Sequence, residues 1–318
     1  MIILLLVGCS SVPVSKDTQS EVKTYLDKQQ VEELGNHLQI LSADNMAGRK
    51  FASAESTKAQ NHIISSLISS NIHPFQDKYR HPFEHSSFFY QKKGNNIIGF
   101  VKGTSFPNQY IILSAHYDHL GRKGSRVFNG TDDNASGTAA VLVFGQVIAK
   151  TPLKHSVIFL FTDGEEVNLL GAKAFIDQQK HLLPKIMLNI NIDMIAGSKN
   201  TNKLHYIDNR LDSILPQSEI EHLAILSNNS EIKIKRGFKR PQYRANNTAI
   251  WINASDHAVF NRKQIPFIYF GVGEHKNYHT THDDIDNINL PFFIQASQTI
   301  FQYLLFFDKN IQSLKTKN

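Results

Sequence analysis

Ser114-Ala-His-Tyr-Asp-His-Leu-Gly121 places a His-x-Asp at the end of an apolar run, and the paired acids of Thr131-Asp-Asp-Asn-Ala-Ser-Gly137 follow at the mouth of an expected helix. A neutral imidazole nitrogen and a carboxylate oxygen are the ligands zinc takes where one position must stay open for water. The arrangement recurs downstream. Ser156-Val-Ile-Phe-Leu-Phe-Thr162 runs into Asp163-Gly-Glu-Glu166, Ile186-Met-Leu-Asn-Ile-Asn-Ile192 runs into Asp193, and Pro266-Phe-Ile-Tyr-Phe270 leads toward Tyr278-His279-Thr280. In open α/β sheets ligands bind outside the carboxyl ends of the strands, so these four clusters are expected to meet.

His116, Asp133, Glu166, Asp193 and His279 make five candidate ligands for a pair of metal ions. One carboxylate shared between two ions, with two private ligands on each, uses all five and leaves room for water. Two ions can acidify that water and hold both the attacking oxygen and a scissile carbonyl, which is hydrolysis without a nucleophilic side chain. Glu165 directly precedes Glu166, and neighbouring side chains leave a strand end in different directions. One of the pair can therefore bind metal while the other serves as general base. An isolated Glu-Glu would read as two solvated carboxylates; the unbroken apolar strand before this one argues otherwise. Asp118 is placed to accept the other N–H of His116 and fix its tautomer. His119 reads as a polar loop residue.

The elements that must position these groups follow from periodicity. Helical spacing of apolar residues predicts helices over 21–41, 56–70, 134–150, 169–179, 211–228 and 291–307, with a short one after Asp256. Residues 83–90, 96–101, 110–114, 204–207 and 231–234 read as strands beside the runs already named, and Gly103 and Pro107 suggest a hairpin-like link between the second and third. The β-α-β-α-β order across 110–192 predicts an α/β fold with a central mixed, mainly parallel β-sheet flanked by helices on both faces.

The chain has 318 residues, 41% hydrophobic and 19% charged, enough for one large domain with a sizeable core. Its net charge of +6 is scattered. The basic stretch 233–244 is interrupted by Gly237 and Pro241 and has no groove-reading motif beside it, so no nucleic-acid partner is expected. The single cysteine, Cys9, ends Leu6-Val-Gly-Cys9 behind an apolar start, which matches a bacterial lipoprotein cleavage box despite the absence of Lys or Arg before it. Residues 1–20 are thus expected to be a lipoprotein signal and tether. Localisation would be the cell envelope, facing the periplasm or the exterior, with the membrane reached only through a lipid on Cys9.

The spacings resemble the co-catalytic two-zinc exopeptidases of metallopeptidase family twenty-eight over most of the chain after Leu41. The motifs are His116-Tyr-Asp118, Asp133-Asn-Ala-Ser-Gly137, Glu165-Glu166, Asn191-Ile-Asp193 and His279-Thr-Thr-His-Asp283. The resemblance implies two Zn²⁺ per chain, bridged by Asp133, with His116 and Asp193 on one ion and Glu166 and His279 on the other. Asp132 competes for the bridge, but alignment on Asn-x-Ser-Gly selects Asp133. It implies Glu165 as base and acid, a cis peptide between Asp133 and Asn134, and Tyr278 at a position where some relatives support an oxyanion. It also implies a structural role for Leu41-Ser-Ala-Asp with Gly48-Arg49, and Ser255-Asp-His257 as a wall of the site. His282, three residues after His279, is the alternative ligand. The side-chain pocket is expected to draw on Met194, the 235–250 loop and residues 271–278.

The expected function is zinc aminopeptidase activity on peptides with a free N-terminus. It would be carried by a single catalytic domain over 21–318 with no inserted protease-associated domain, acting as a monomer. Alternatives are a glutaminyl-cyclase-like single-zinc acyltransferase, a carboxypeptidase-like amidase and a non-catalytic binding module on the same fold.

Overall fold

The computed structural model describes residues 26–86, 91–238 and 251–312. In chain order the strands are β1 (His73–Pro74), β2 (Arg80–Ser86), β3 (Gln91–Val101), β4 (Phe106–His116), β5 (Gly121–Lys123), β6 (Arg126–Phe128), β7 (His155–Thr162), β8 (Ile186–Ile192), β9 (Lys203–Asn209), β10 (Lys233–Arg236) and β11 (Phe267–Gly271). The helices are α1 (Lys28–Leu41), α2 (Ser56–Ser69), α3 (Gly137–Lys150), α4 (Leu170–Gln178), α5 (Gln217–Asn229), α6 (His257–Arg262) and α7 (Leu290–Asn310).

Every residue of β7 and β8 is buried, which fits the apolar run Val157–Phe161 and the largely apolar Ile186–Ile192, whose Asn189 and Asn191 are buried with it. Successive side chains of a strand point to opposite faces. Ile111 and Leu113 therefore pack into the core under α1, α2, α3 and α7, while Ile112 joins Phe175 of α4 and Phe260 of α6 on the other side. The result is the expected mixed sheet with helices on both faces. Its order is β1-β3-β7-β4-β8-β11-β9-β10, with β2 also on β3. The neighbours β7, β4, β8 and β11 are mutually parallel, so their C-terminal ends open at one edge.

Three local expectations change. β3 and β4 are not a hairpin, because β7 lies between them, antiparallel to one and parallel to the other. The 103–106 link instead wraps the start of β7, donating main-chain N–H groups to the carbonyls of Leu153 and Lys154. The helix expected over 211–228 is interrupted by Pro216, which caps α5 after a single tight turn at Leu211–Ser213. The one expected from 134 begins at Gly137, after a wide turn over Thr131–Ser136. Cys9 and its tether, residues 21–25 and the 239–250 loop lie outside the described residues, among which no helix is long and apolar enough to cross a membrane.

Candidate metal centre

His116 is the last residue of β4, and its Nε2 lies 3.3 Å from Asp133 Oδ1 and 3.2 Å from Asp193 Oδ1, just beyond β8. Its Nδ1 faces the carbonyl oxygen of Asp118 at 3.1 Å, while the Asp118 carboxylate stands 3.8 Å away. Asp118 therefore orients the ring through its main chain. Its side chain is turned to accept the N–H of Glu165 at 3.1 Å, tying the β4 exit to the β7 exit.

A second group forms around Glu166. His279 Nε2 lies 3.2 Å from Glu166 Oε2 and 3.1 Å from Asp133 Oδ2, so Asp133 offers one oxygen to each group. His119 belongs here too: Nδ1 is 2.8 Å from Glu166 Oε1 and 3.6 Å from Asp133 Oδ2. The expectation of a polar loop residue is corrected; the His119 ring is buried against Gly130, where a Cβ would collide with it. The His-x-x-His spacing of 116 and 119 was the available signal. His282 is exposed, and among the described residues only its main-chain N–H is engaged, by Thr280 Oγ1.

The Asn-x-Ser-Gly motif has a mechanical reading. Asn134 Oδ1 accepts from Gly137 and Met194 N–H, and its Nδ2 donates to the carbonyl of Ile192, pinning the turn to the β8 exit. Ser136 Oγ links Asp132 to Ile195, and a Cβ at 137 would run into the Ile192 carbonyl, so glycine is required. Asp132 points away from the centre: its Oδ1 accepts the N–H groups of Ala196 and Gly197 at 2.7 Å each, and its Oδ2 meets His275 Nε2 at 2.8 Å. The Asp283 carboxylate accepts from the main chain of Asp132 and Asp133. The Asp133–Asn134 peptide is cis.

Arg49, fully buried, donates to four carbonyls: Tyr117 at 2.7 Å, Leu41 at 2.6 Å, Asn129 at 2.6 Å and Gly130 at 2.8 Å. One guanidinium thus joins the loop carrying His116 and His119 to the turn carrying Asp133. Burial lowers its pKa to about 10, which leaves it charged at neutral pH.

Electrostatically the centre calls for cations. Burial and the nearby Asp193, Glu166 and Asp256 raise the Glu165 carboxyl well above its ordinary range, against the pull of His116. Burial opposes ionisation of Asp133 as well, yet His119, His116 and His279 hold it well below the usual value. His279, despite burial, is pushed up to about 10 by Asp133 and Glu166. Asp133 Oδ2 is buried, and among the described residues it makes no well-aligned hydrogen bond, having only the imidazole nitrogens of His279 and His119 near it. Carboxylates facing imidazole lone pairs, with a buried carboxylate oxygen left over, suit divalent metal ions, which compete with protons for those sites. His116, Asp133 and Asp193 form one three-donor group and His119, Asp133 and Glu166 another, with His279 beside the second.

The centre floors a cavity of about 550 Å³, into which Glu165, Asp193, Met194, Tyr278 and His279 project. Tyr278 stacks on His279, ring centroids 3.8 Å apart, and burial with the surrounding carboxylates raises its pKa, so the phenol keeps its proton. The wall expected from Ser255-Asp-His257 is built by Trp251, Asn253 and Ala254 instead. Ser255, Asp256 and His257 lie beneath it, bonded to Asn191, Thr162 and the Trp251 carbonyl.

Among known proteins, the Aminopeptidase YwaD of Bacillus subtilis (strain 168) is 26% identical over 220 residues, covering 67% of this chain and 44% of the relative. The Glutamate carboxypeptidase 2 homolog of Caenorhabditis elegans is 30% identical over 210 residues, 59% of this chain and 25% of the relative. The chain spans less than half the length of these curated relatives. The solved structure of an aminopeptidase from Aneurinibacillus sp. strain AM-1 superposes with a TM-score of 0.68 at 15% identity, covering 89% of this chain and 94% of that one. The glutaminyl cyclase of Fimbriiglobus ruber does so at 0.69 and 17%, covering 89% and 97%. These two similarities speak to fold. The model of Peptidase family M28 matches residues 96–304, well over half of the chain and the whole span from His116 to His279, and the chain belongs to that family.

Proposed function

We propose that the chain is a zinc-dependent aminopeptidase that hydrolyses the first peptide bond of substrates with a free N-terminus. The observation that carries this reading is the pair of donor groups sharing Asp133 beneath a cavity, with Glu165 beside them and outside both groups. His116, Asp133 and Asp193 would hold one ion; Asp133, Glu166 and His279 the other, with His119 against Glu166. Bound there, zinc supplies Lewis acidity, polarising the scissile carbonyl and acidifying water.

The chain's own residues do the rest. Glu165 takes the proton of the attacking water and returns it to the leaving amine, a task its raised pKa suits. The Tyr278 hydroxyl donates to the oxygen on which negative charge develops. Asp118 keeps the His116 ring and the Glu165 backbone in register. A monomer, anchored at a bacterial envelope by a lipid on Cys9, completes the proposal; the mass of the mature N-terminus checks that anchor.

Turnover of a panel of aminoacyl-4-nitroanilides, with and without chelator and alongside metal analysis, tests the reading. Chelator-sensitive release of free amino acid with two zinc ions per chain is expected. The fold likeness to a glutaminyl cyclase makes single-zinc cyclisation of N-terminal glutamine the second reading. One zinc per chain and pyroglutamate as the product would favour it.

A further inference from the structure

Resting on the aminopeptidase reading, we propose that Glu274 makes the enzyme selective for N-terminal residues with a long cationic side chain, lysine or arginine. Four carboxylates line the cavity: Asp133, Glu165, Asp193 and Glu274. Three of them belong to the metal groups or supply the general base. Glu274 belongs to neither; it is exposed at the cavity's edge, and no ion pair or hydrogen bond occupies it among the described residues. Its neighbour His275 is turned away to Asp132. A carboxylate held at the edge of a substrate cavity without a protein cation is matched by a cation on the substrate.

The surface leading to Glu274 fits the stem of such a side chain. Trp251, Tyr269 and Met194 line the same cavity as Glu274 and the metal groups. The wall is stiff, because Phe238 stacks on Trp251 at 4.2 Å and on Tyr269 at 5.4 Å, and His257 backs Tyr269 at 4.5 Å. Lysine and arginine lay an apolar stem along such a surface while the charged head stays near water, which is where an exposed carboxylate waits. The aromatic rings add to the attraction of a nearby cation.

The test compares kcat/KM of the zinc-loaded full chain on arginyl-, lysyl-, leucyl- and phenylalanyl-4-nitroanilide, for the native protein and for Glu274→Gln. The native enzyme should favour the two basic substrates. The variant should lower the Arg/Leu and Lys/Leu ratios by about five- to tenfold, the scale of a partly exposed ion pair beside aromatic rings, and Glu274→Lys should lower them further. Unchanged ratios overturn the proposal, whether all four rates fall together, as they would if Glu274 held the α-ammonium group, or none falls. Should the native chain cleave none of the four, the aminopeptidase reading fails separately. Calorimetric binding of L-argininamide against L-norleucinamide then decides this one: tighter argininamide binding that Glu274→Gln abolishes supports it, and equal binding in the native chain overturns it.

Discussion

The two ends of β7 each carry a buried histidine against a carboxylate, and they are put to opposite uses. At the start, Asp308 of α7 accepts the main-chain N–H of Lys154 at 3.0 Å, that of His155 at 2.9 Å and the His155 ring at 2.9 Å. At the finish, Glu166 meets His119 at 2.8 Å, but among the described residues no main-chain N–H reaches the Glu166 carboxylate or Asp133 Oδ2, and the surrounding carboxylates crowd one another. Both contacts look alike as distances. The difference lies in donors: where main-chain N–H groups satisfy the acid the pair is architecture, and where they are withheld the acid is kept for a ligand.

That contrast can be broken first at Asp133. Asp133→Ala should strip both donor groups, leaving little zinc by elemental analysis and turnover down about 10³-fold or more, the several kcal/mol a metal contributes. One ion retained at full affinity with turnover intact would show that Asp133 is not shared. Glu165→Gln should keep both ions and still lower kcat by about 10²–10⁴-fold, the loss of a general base; loss of zinc instead would mean Glu165 and Glu166 have exchanged roles.

Metal affinity sharpens the comparison within the centre. The His279 side chain is 37% exposed and that of His116 only 1%, so chelator should remove zinc in two steps, with His279→Ala erasing the earlier one. Asp283→Asn, which loosens the Asp133 turn without touching a donor, should weaken zinc binding by about 10–100-fold in a competition titration.

The smallest effect is expected at the other end of β7. Asp308→Asn should leave turnover intact and lower unfolding stability by about 1–3 kcal/mol in denaturant melts. Burial alone would raise the Asp308 pKa, but its His155 and Lys154 donors hold it below the usual value. A depressed pKa stabilises the fold at pH above the unfolded carboxyl's value of about 4, and that contribution fades as pH falls through the folded value. The gap between native and variant should therefore be constant near neutrality and close below about pH 4. A gap that widens with acid would contradict this assignment.

How much of this was legible in the sequence depended on how local each signal is. The apolar runs of β7 and β8 announced strands of a sheet flanked by helices, and the acids behind them announced the edge where the centre sits. Asp133 was separable from Asp132 only through the family resemblance, by alignment on Asn-x-Ser-Gly; the structure adds the reason, since Asn134, Ser136 and Gly137 each fix the turn. His119 was missed because its one signal, the His-x-x-His spacing with His116, does not show that the loop folds back onto Glu166, 47 positions later. The hairpin expected through Gly103 and Pro107 failed for the same reason, since turn chemistry cannot reveal that β7 will be inserted between its arms. Tyr117, Asn129 and Gly130 take part in the Arg49 contacts through main-chain carbonyls, which leave no trace in residue type.

The Arg49 clamp bears on how the protein can be dissected. The stretch 96–304 that matches the family model contains the proposed zinc donors and the base but omits this guanidinium and the α1–α2 pair that presents it. A shortened gene product starting near residue 95 would retain the proposed donors and base while losing the hand that grips both donor-bearing loops. Residues 26–95 are better regarded as a brace for the candidate metal centre than as a dispensable preface to it.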